Sequence, residues 1–214
     1  MRILMMAALL ALAPLSLMAQ NSPWKEGVHY YVIEQQSNSS DDKMLVEEVF
    51  SYACPHCNSF QPTVGPWHKQ LPADVAFKRL PAVFSRSWEP YARAYLTFEA
   101  MGITEETHQA LFDALHRDRK PLRTIDQIAD FVAGLGVDKG KFMSTANSFA
   151  VNGRLNQANS LVRRYGITGT PSLVIDGKYR IAAGGELKTY ADLLNVADFL
   201  IEKRRQERGA VAAN

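Results

Sequence analysis

The chain has 214 residues, of which 47% are hydrophobic and 21% charged, and its formal net charge is +2. That length suits one large domain, or a domain with an inserted lobe, whose core needs no disulfides to be adequate. The balanced charge argues against nucleic acid as a partner, and beyond the N-terminal run no apolar stretch approaches membrane-spanning length. Met1-Arg2 is a short basic start, the run from Ile3 to Ala13 is unbroken and apolar, and Pro14 interrupts it before Ala19. Residues 1–19 therefore read as a secretory signal peptide, cleaved after Ala19 or close to it, rather than as a membrane anchor. Export would place the rest of the chain in an oxidising compartment.

Residues 29–35 (HYYVIEQ) are β-branched and aromatic and predict a strand; residues 37–42 (SNSSDD) predict an exposed loop. Residues 43–53 (KMLVEEVFSYA) are apolar on both parities, as a strand buried on both faces would be. Cys54 comes at its end, and Pro55 suits the first position of a following helix. Pro62 and the pair Gly65-Pro66 should kink or break that helix before it resumes through residues 67–71. A third strand is expected over 74–83. Helical periodicity then covers 89–101, 103–118, 124–135, 137–148 and 151–166, with Thr104 a cap candidate. Strands return at 172–176 and 178–183, joined by Asp176-Gly177 as a β-hairpin. Residues 189–205 form an amphipathic helix, and the tail from Gly209 should fray. The basic run near the end reads as a solvated helix terminus. The order is ββαβ, a helical block, then ββα.

Cys54 and Cys57 are the two cysteines of the chain. As a staple the pair is poor: the chain-entropy treatment gives about 2 kcal/mol for so short a loop, against about 3 for fifteen residues. A zinc site needs four ligands, and His29, His68, His108 and His116 are scattered with no ligand spacing. His56 lies inside the C-x-x-C, which removes the haem-attachment pattern. A redox pair is the favoured reading of the three.

A strand running into CPHC at a helix start, a later Thr170-Pro171 before a hairpin, and an inserted helical block together resemble the DsbA family of periplasmic thiol:disulfide oxidoreductases. The likeness runs from residue 26 to the last helix. It implies an α/β thioredoxin fold with an inserted helical domain: residues 20–84 and 166–214 forming the two thioredoxin parts, and 85–165 the insertion. It implies donation of a Cys54–Cys57 disulfide to reduced or unfolded exported proteins, with reoxidation by a DsbB-type membrane partner that passes electrons to quinone. No cofactor or metal is called for, and a monomer is expected. The chain departs from familiar members in having Thr170 where valine is usual.

Cys54 at a helix N-cap would face unpaired backbone N–H groups and the positive dipole end, both of which favour the thiolate. Cys57, one turn inward, should be buried and less acidic. Cys54 is then the attacking sulfur and Cys57 the resolving one. Between them His56 would add electrostatic help for the Cys54 thiolate, and Pro55 would fix local geometry. Strand parity does not choose between Glu47 and Glu48 as a buried acid. The resemblance selects Glu48, with Lys78 as its ionic partner beneath the cysteines, and it makes the Thr170–Pro171 bond cis and adjacent to Cys54, where Thr170 and Pro171 would bind substrate. Rival readings are a disulfide isomerase or reductase, and a chaperone-like peptide-binding module with incidental redox activity.

Overall fold

The computed structural model describes residues 22–34 and 43–212. The signal-peptide stretch and the 37–42 loop lie outside the described residues. A five-stranded mixed sheet has the order β1-β5-β4-β2-β3, with β1 at Tyr31–Val32, β2 at Met44–Phe50, β3 at Val75–Pro81, β4 at Ser172–Ile175 and β5 at Tyr179–Ala182. β2 and β3 are parallel, while β4 runs antiparallel to both β2 and β5. Helix α1 (Pro55–His68) links β2 to β3. Helices α2 (Glu89–Met101), α3 (Thr104–His116), α4 (Ile125–Ala133), α5 (Lys139–Ala146) and α6 (Phe149–Arg164) fill the chain between β3 and β4, and α7 (Tyr190–Ala212) closes it. The expected order of elements is the order found.

Three apolar clusters hold these layers. Val46, Leu173 and Ile175 on one face of the sheet pack with Phe60 and Val64 of α1 and with Leu193, Val196 and Leu200 of α7. Val49, Leu80 and Val174 on the other face pack against Ala158 and Val162 of α6. The third cluster fills the helical lobe around Phe98, Phe112 and Phe142, and it reaches the end of β2, taking in Phe50, Tyr52 and both cysteines. The cysteines therefore sit at the seam between sheet and lobe.

Four local expectations are revised. The first strand shrinks to two residues, because the N–H groups of Val28 and His29 turn back onto the Lys25 carbonyl and only Tyr31 and Val32 pair with β5. Helix α1 runs unbroken through Pro62 and Pro66. Both prolines are exposed and lie four residues apart on one face; the carbonyls they leave without an N–H partner therefore face water, while Cys57, Phe60, Gln61 and Val64 anchor the opposite face. The cap of α3 is Ile103, with no side-chain bond, and not Thr104. Helix α7 continues to Ala212 instead of fraying at Gly209.

The last turns of α7 are tied to the β4–β5 hairpin. Asp176, almost fully buried in that turn at φ 53°, pairs with Arg204 at 2.7 Å and Arg208 at 2.6 Å. Glu207 accepts from Tyr179 Oη at 2.6 Å and Lys178 Nζ at 2.9 Å. The cations of the basic run are thus held by carboxylates of the same chain.

Candidate active site

The sheet register assembles the site. β2 and β4 are antiparallel with Val49 opposite Ser172, so the segment leaving β2 at its C-terminal end meets the segment entering β4. That places Thr170-Pro171 against Cys54: the Cys54 thiol donates to the Thr170 carbonyl at 3.4 Å. The Thr170–Pro171 bond is cis. Pro171 cannot donate to a ladder, which suits its place just before β4, and its carbonyl accepts from Ala183 N at 3.3 Å.

Cys54 is the N-cap of α1, in extended backbone, and its sulfur accepts the Cys57 N–H at 3.4 Å. Both cysteines are free thiols and buried. Their acidities diverge. The Cys54 thiol is lowered to about 5, first by a hydrogen bond from the Cys57 thiol and then, against the cost of burial, by the Thr170 side chain and the N–H groups of Cys57 and His56. Burial, followed by the hydrogen bond and charge of Cys54, pushes the Cys57 thiol far up. The helix start works as expected, with the first-turn N–H groups aimed at one sulfur. The His56 side chain is exposed, and what it offers Cys54 here is its backbone N–H. Pro55 occupies the first helical position.

This acidity has a sign for stability. An unfolded thiol titrates at about 8.5, and folding lowers Cys54 to about 5. The stability it contributes is complete above the unfolded value and is lost as pH falls through the folded one. Cys57, raised by folding, opposes this only above about pH 8.5, where the unfolded thiol ionises. The reduced protein should therefore gain most over its disulfide form near about pH 8, and that margin should shrink toward about pH 5. Thermal melts of both redox forms across this range measure it; a margin that stays flat would contradict the assignment.

Beneath Cys57 lies a buried polar chain. Glu48, fully buried, accepts from Gln61 Nε2 at 2.8 Å and from Arg79 Nε at 3.1 Å. Lys78 is not its partner. In the parallel register Glu48 lies opposite Arg79 and Glu47 opposite Lys78, so Lys78 projects to the α6 face, where its charge acts on Glu47. Burial raises the Glu48 carboxyl, against the attraction of Arg79 and the bond from Gln61. Gln61 Nε2 also donates to the Cys57 carbonyl at 3.2 Å. With its amide nitrogen so used, Gln61 Oε1 must accept, and it lies 3.1 Å from His108 Nε2. His108 is held neutral, since burial pushes its pKa well down with help from the Arg79 charge. Its one proton is then on Nε2, leaving Nδ1 to accept from Tyr52 Oη at 2.8 Å. Each polar group in this chain is matched to a partner, which is the condition for keeping such groups in a core.

Sequence reading had placed neither His108 nor His116 at the site. His116 Nε2 reaches the Tyr52 carbonyl at 2.7 Å and so ties α3 to the loop before Cys54. Arg79, Gln61 and Tyr190 were likewise missed, since their positions depend on register and helix packing. Among the described residues no group of three His, Cys, Asp or Glu side chains could hold a metal ion. On the open side, His56, Thr170, Pro171, Leu187 and Tyr190 border a groove of about 500 Å³.

An acidic cysteine capping the helix that follows a central strand, with a buried partner thiol one turn on, is the working pair of a thiol:disulfide oxidoreductase built on a thioredoxin-type sheet. The DSBA-like thioredoxin domain matches residues 68–195, a span that begins just after the cysteines. The thiol:disulfide interchange protein DsbA of Pseudomonas aeruginosa is 44% identical over 210 residues, covering 96% of this chain and 98% of that protein. The DsbA of Burkholderia cepacia is 34% identical over 97% of this chain and all of its own length. Among solved structures, P. aeruginosa DsbA superposes with a TM-score of 0.83 at 43% identity, covering 87% of this chain and 97% of that one. DsbA from Xylella fastidiosa superposes at 0.77 with 31% identity, covering 83% and 96%. The chain belongs to the DsbA family: it is a thioredoxin-fold enzyme that acts on proteins by thiol–disulfide exchange.

Proposed function

We propose that this enzyme works in the oxidising direction on exported proteins, with Cys54 as the sulfur that bonds substrate and Cys57 as the resolving one. The divergent acidity of the two thiols carries the reading. A substrate thiolate attacks Cys54 of the Cys54–Cys57 disulfide; the S–S bond breaks, and Cys57 leaves and takes a proton. A second substrate thiolate then attacks the substrate sulfur of the mixed disulfide, and Cys54 leaves as a thiolate. Two electrons pass from the substrate dithiol to the enzyme. An acidic Cys54 is a good leaving group in the second step and stabilises the reduced product, so the disulfide is a strong oxidant.

Thr170 and Pro171 bind the incoming peptide as an added strand along the groove. Pro55 and the first-turn N–H groups, His56 included, hold Cys54. Glu48, with Arg79 rather than Lys78, supports Cys57 from below. The N-terminal run directs export to the periplasm, the enzyme acts as a monomer, and a DsbB-type membrane partner reoxidises it by passing the electrons to quinone.

Equilibration with glutathione tests the direction. The expected reduction potential is more positive than about −180 mV, above that of a disulfide isomerase. A thioredoxin-like value near about −270 mV would assign a reductase instead.

A further inference from the structure

Helix α7 begins at Tyr190, and its start is fixed by a reciprocal cap. Asp192 N donates to Thr189 Oγ1 at 3.1 Å, and Thr189 N donates to Asp192 Oδ2 at 2.9 Å. The Tyr190 ring packs on Phe60 of α1 with centroids 5.1 Å apart. From there its hydroxyl donates to the His56 carbonyl at 3.0 Å. That carbonyl belongs to the same peptide unit as the Cys57 N–H, which points at Cys54 Sγ from 3.4 Å. Hydrogen, peptide and sulfur are thus in series: Tyr190 O–H to His56 C=O, and Cys57 N–H to Cys54 Sγ.

We infer that Tyr190 is a positioning residue for the exchange reaction, setting the acidity and leaving ability of Cys54 by polarising the His56–Cys57 peptide. Hydrogen bonds in a chain strengthen one another, by roughly 10–30% each, because accepting at the carbonyl makes the N–H of that peptide a better donor. A stronger N–H favours the thiolate over the thiol, and the thiolate is the form that leaves from a mixed disulfide. The same bond, made from a different helix, fixes the orientation of the first turn of α1 against α7. The phenol remains a donor throughout, since burial, and after it the charge of the cysteine pair, push its own ionisation up. No backbone rule places a tyrosine here: the contact spans 134 residues of sequence.

The inference rests on Cys54 being the acidic, substrate-bonded sulfur, and the test separates the two. Tyr190→Phe keeps the ring on Phe60 and removes only the donor. Thiolate absorbance against pH is measured in reduced wild type and variant, together with the glutathione equilibrium and the melting temperature of the oxidised forms. The expected result is a Cys54 midpoint raised by about half a pH unit, about threefold in the acid constant, with a reduced form disfavoured by a similar factor against glutathione. If wild-type Cys54 titrates as an ordinary thiol, the functional reading fails first. If wild type is acidic and the variant titrates identically, the role of Tyr190 is overturned, even where the oxidised form melts lower, because that pattern is packing alone.

Discussion

Cys57→Ser, treated with a disulfide-linked peptide near neutral pH, should accumulate a mixed disulfide at Cys54, while Cys54→Ser should form its adduct at Cys57 more slowly by over about 100-fold. The acidity of Cys54 does not by itself produce that ratio. Lowering a thiol to about 5 makes it almost wholly thiolate at neutral pH, but nucleophilicity falls with pKa at a Brønsted slope of about 0.4–0.5, and the two effects roughly cancel. The ratio comes from Cys57. Its thiol is pushed far up by burial and its side chain has no exposed surface, so both ionisation and access oppose attack. In Cys57→Ser the thiolate of Cys54 displaces one half of the peptide disulfide, and no second thiol remains to release the other half. Mass mapping of the adducts decides the matter: equal rates for the two variants would abolish the assigned roles, and faster capture at Cys57 would exchange them.

Arg79→Met should be strongly destabilising, costing about 3–5 kcal/mol in urea unfolding, because it leaves a fully buried carboxylate without its cation. Glu48 has no solvent-exposed side-chain surface and Arg79 has 11%, so water does not replace the lost charge. Gln61 alone would remain as donor to the carboxyl. The deficit has a pH signature. The Glu48 carboxyl is already raised by burial, and without Arg79 it rises further; the folded state then holds a proton that the unfolded chain has released. Stability of the variant should therefore recover as pH falls toward the unfolded carboxylate value of about 4.3, and worsen as pH rises. Glu48→Gln combined with Arg79→Met should restore most of the loss. A cost below about 1 kcal/mol for Arg79→Met would show that the pair is not what holds this part of the core.

Element order and the cysteine chemistry were legible because they obey local rules. Proline after Cys54 starts a helix, a residue at that start faces free N–H groups, and Asp176-Gly177 closes a tight hairpin; each involves neighbours within a few positions. The bounds of α2 could be read from periodicity for the same reason. The cis state of Thr170–Pro171 was not of this kind, since base rates favour trans, and it was expected from family likeness alone.

The choice of Arg79 over Lys78 turns on one residue of register between parallel strands, and a shift of one position exchanges the faces of a sheet. No local signal in β3 states which of two adjacent cations lies inward. His108 and His116 gain their roles only when α3 packs across the end of β2, and Tyr190 only when α7 meets α1. The continuity of α1 past two prolines likewise follows from what its other face buries. The start of α1 after Cys54 and the tight turn of the hairpin are written in neighbouring residues, where capping and dihedral preferences act. The partners of Glu48, the tautomer of His108 and the donor to the His56 carbonyl are decided by tertiary packing, because a buried hydrogen bond is set by which elements are brought within about 3 Å of one another.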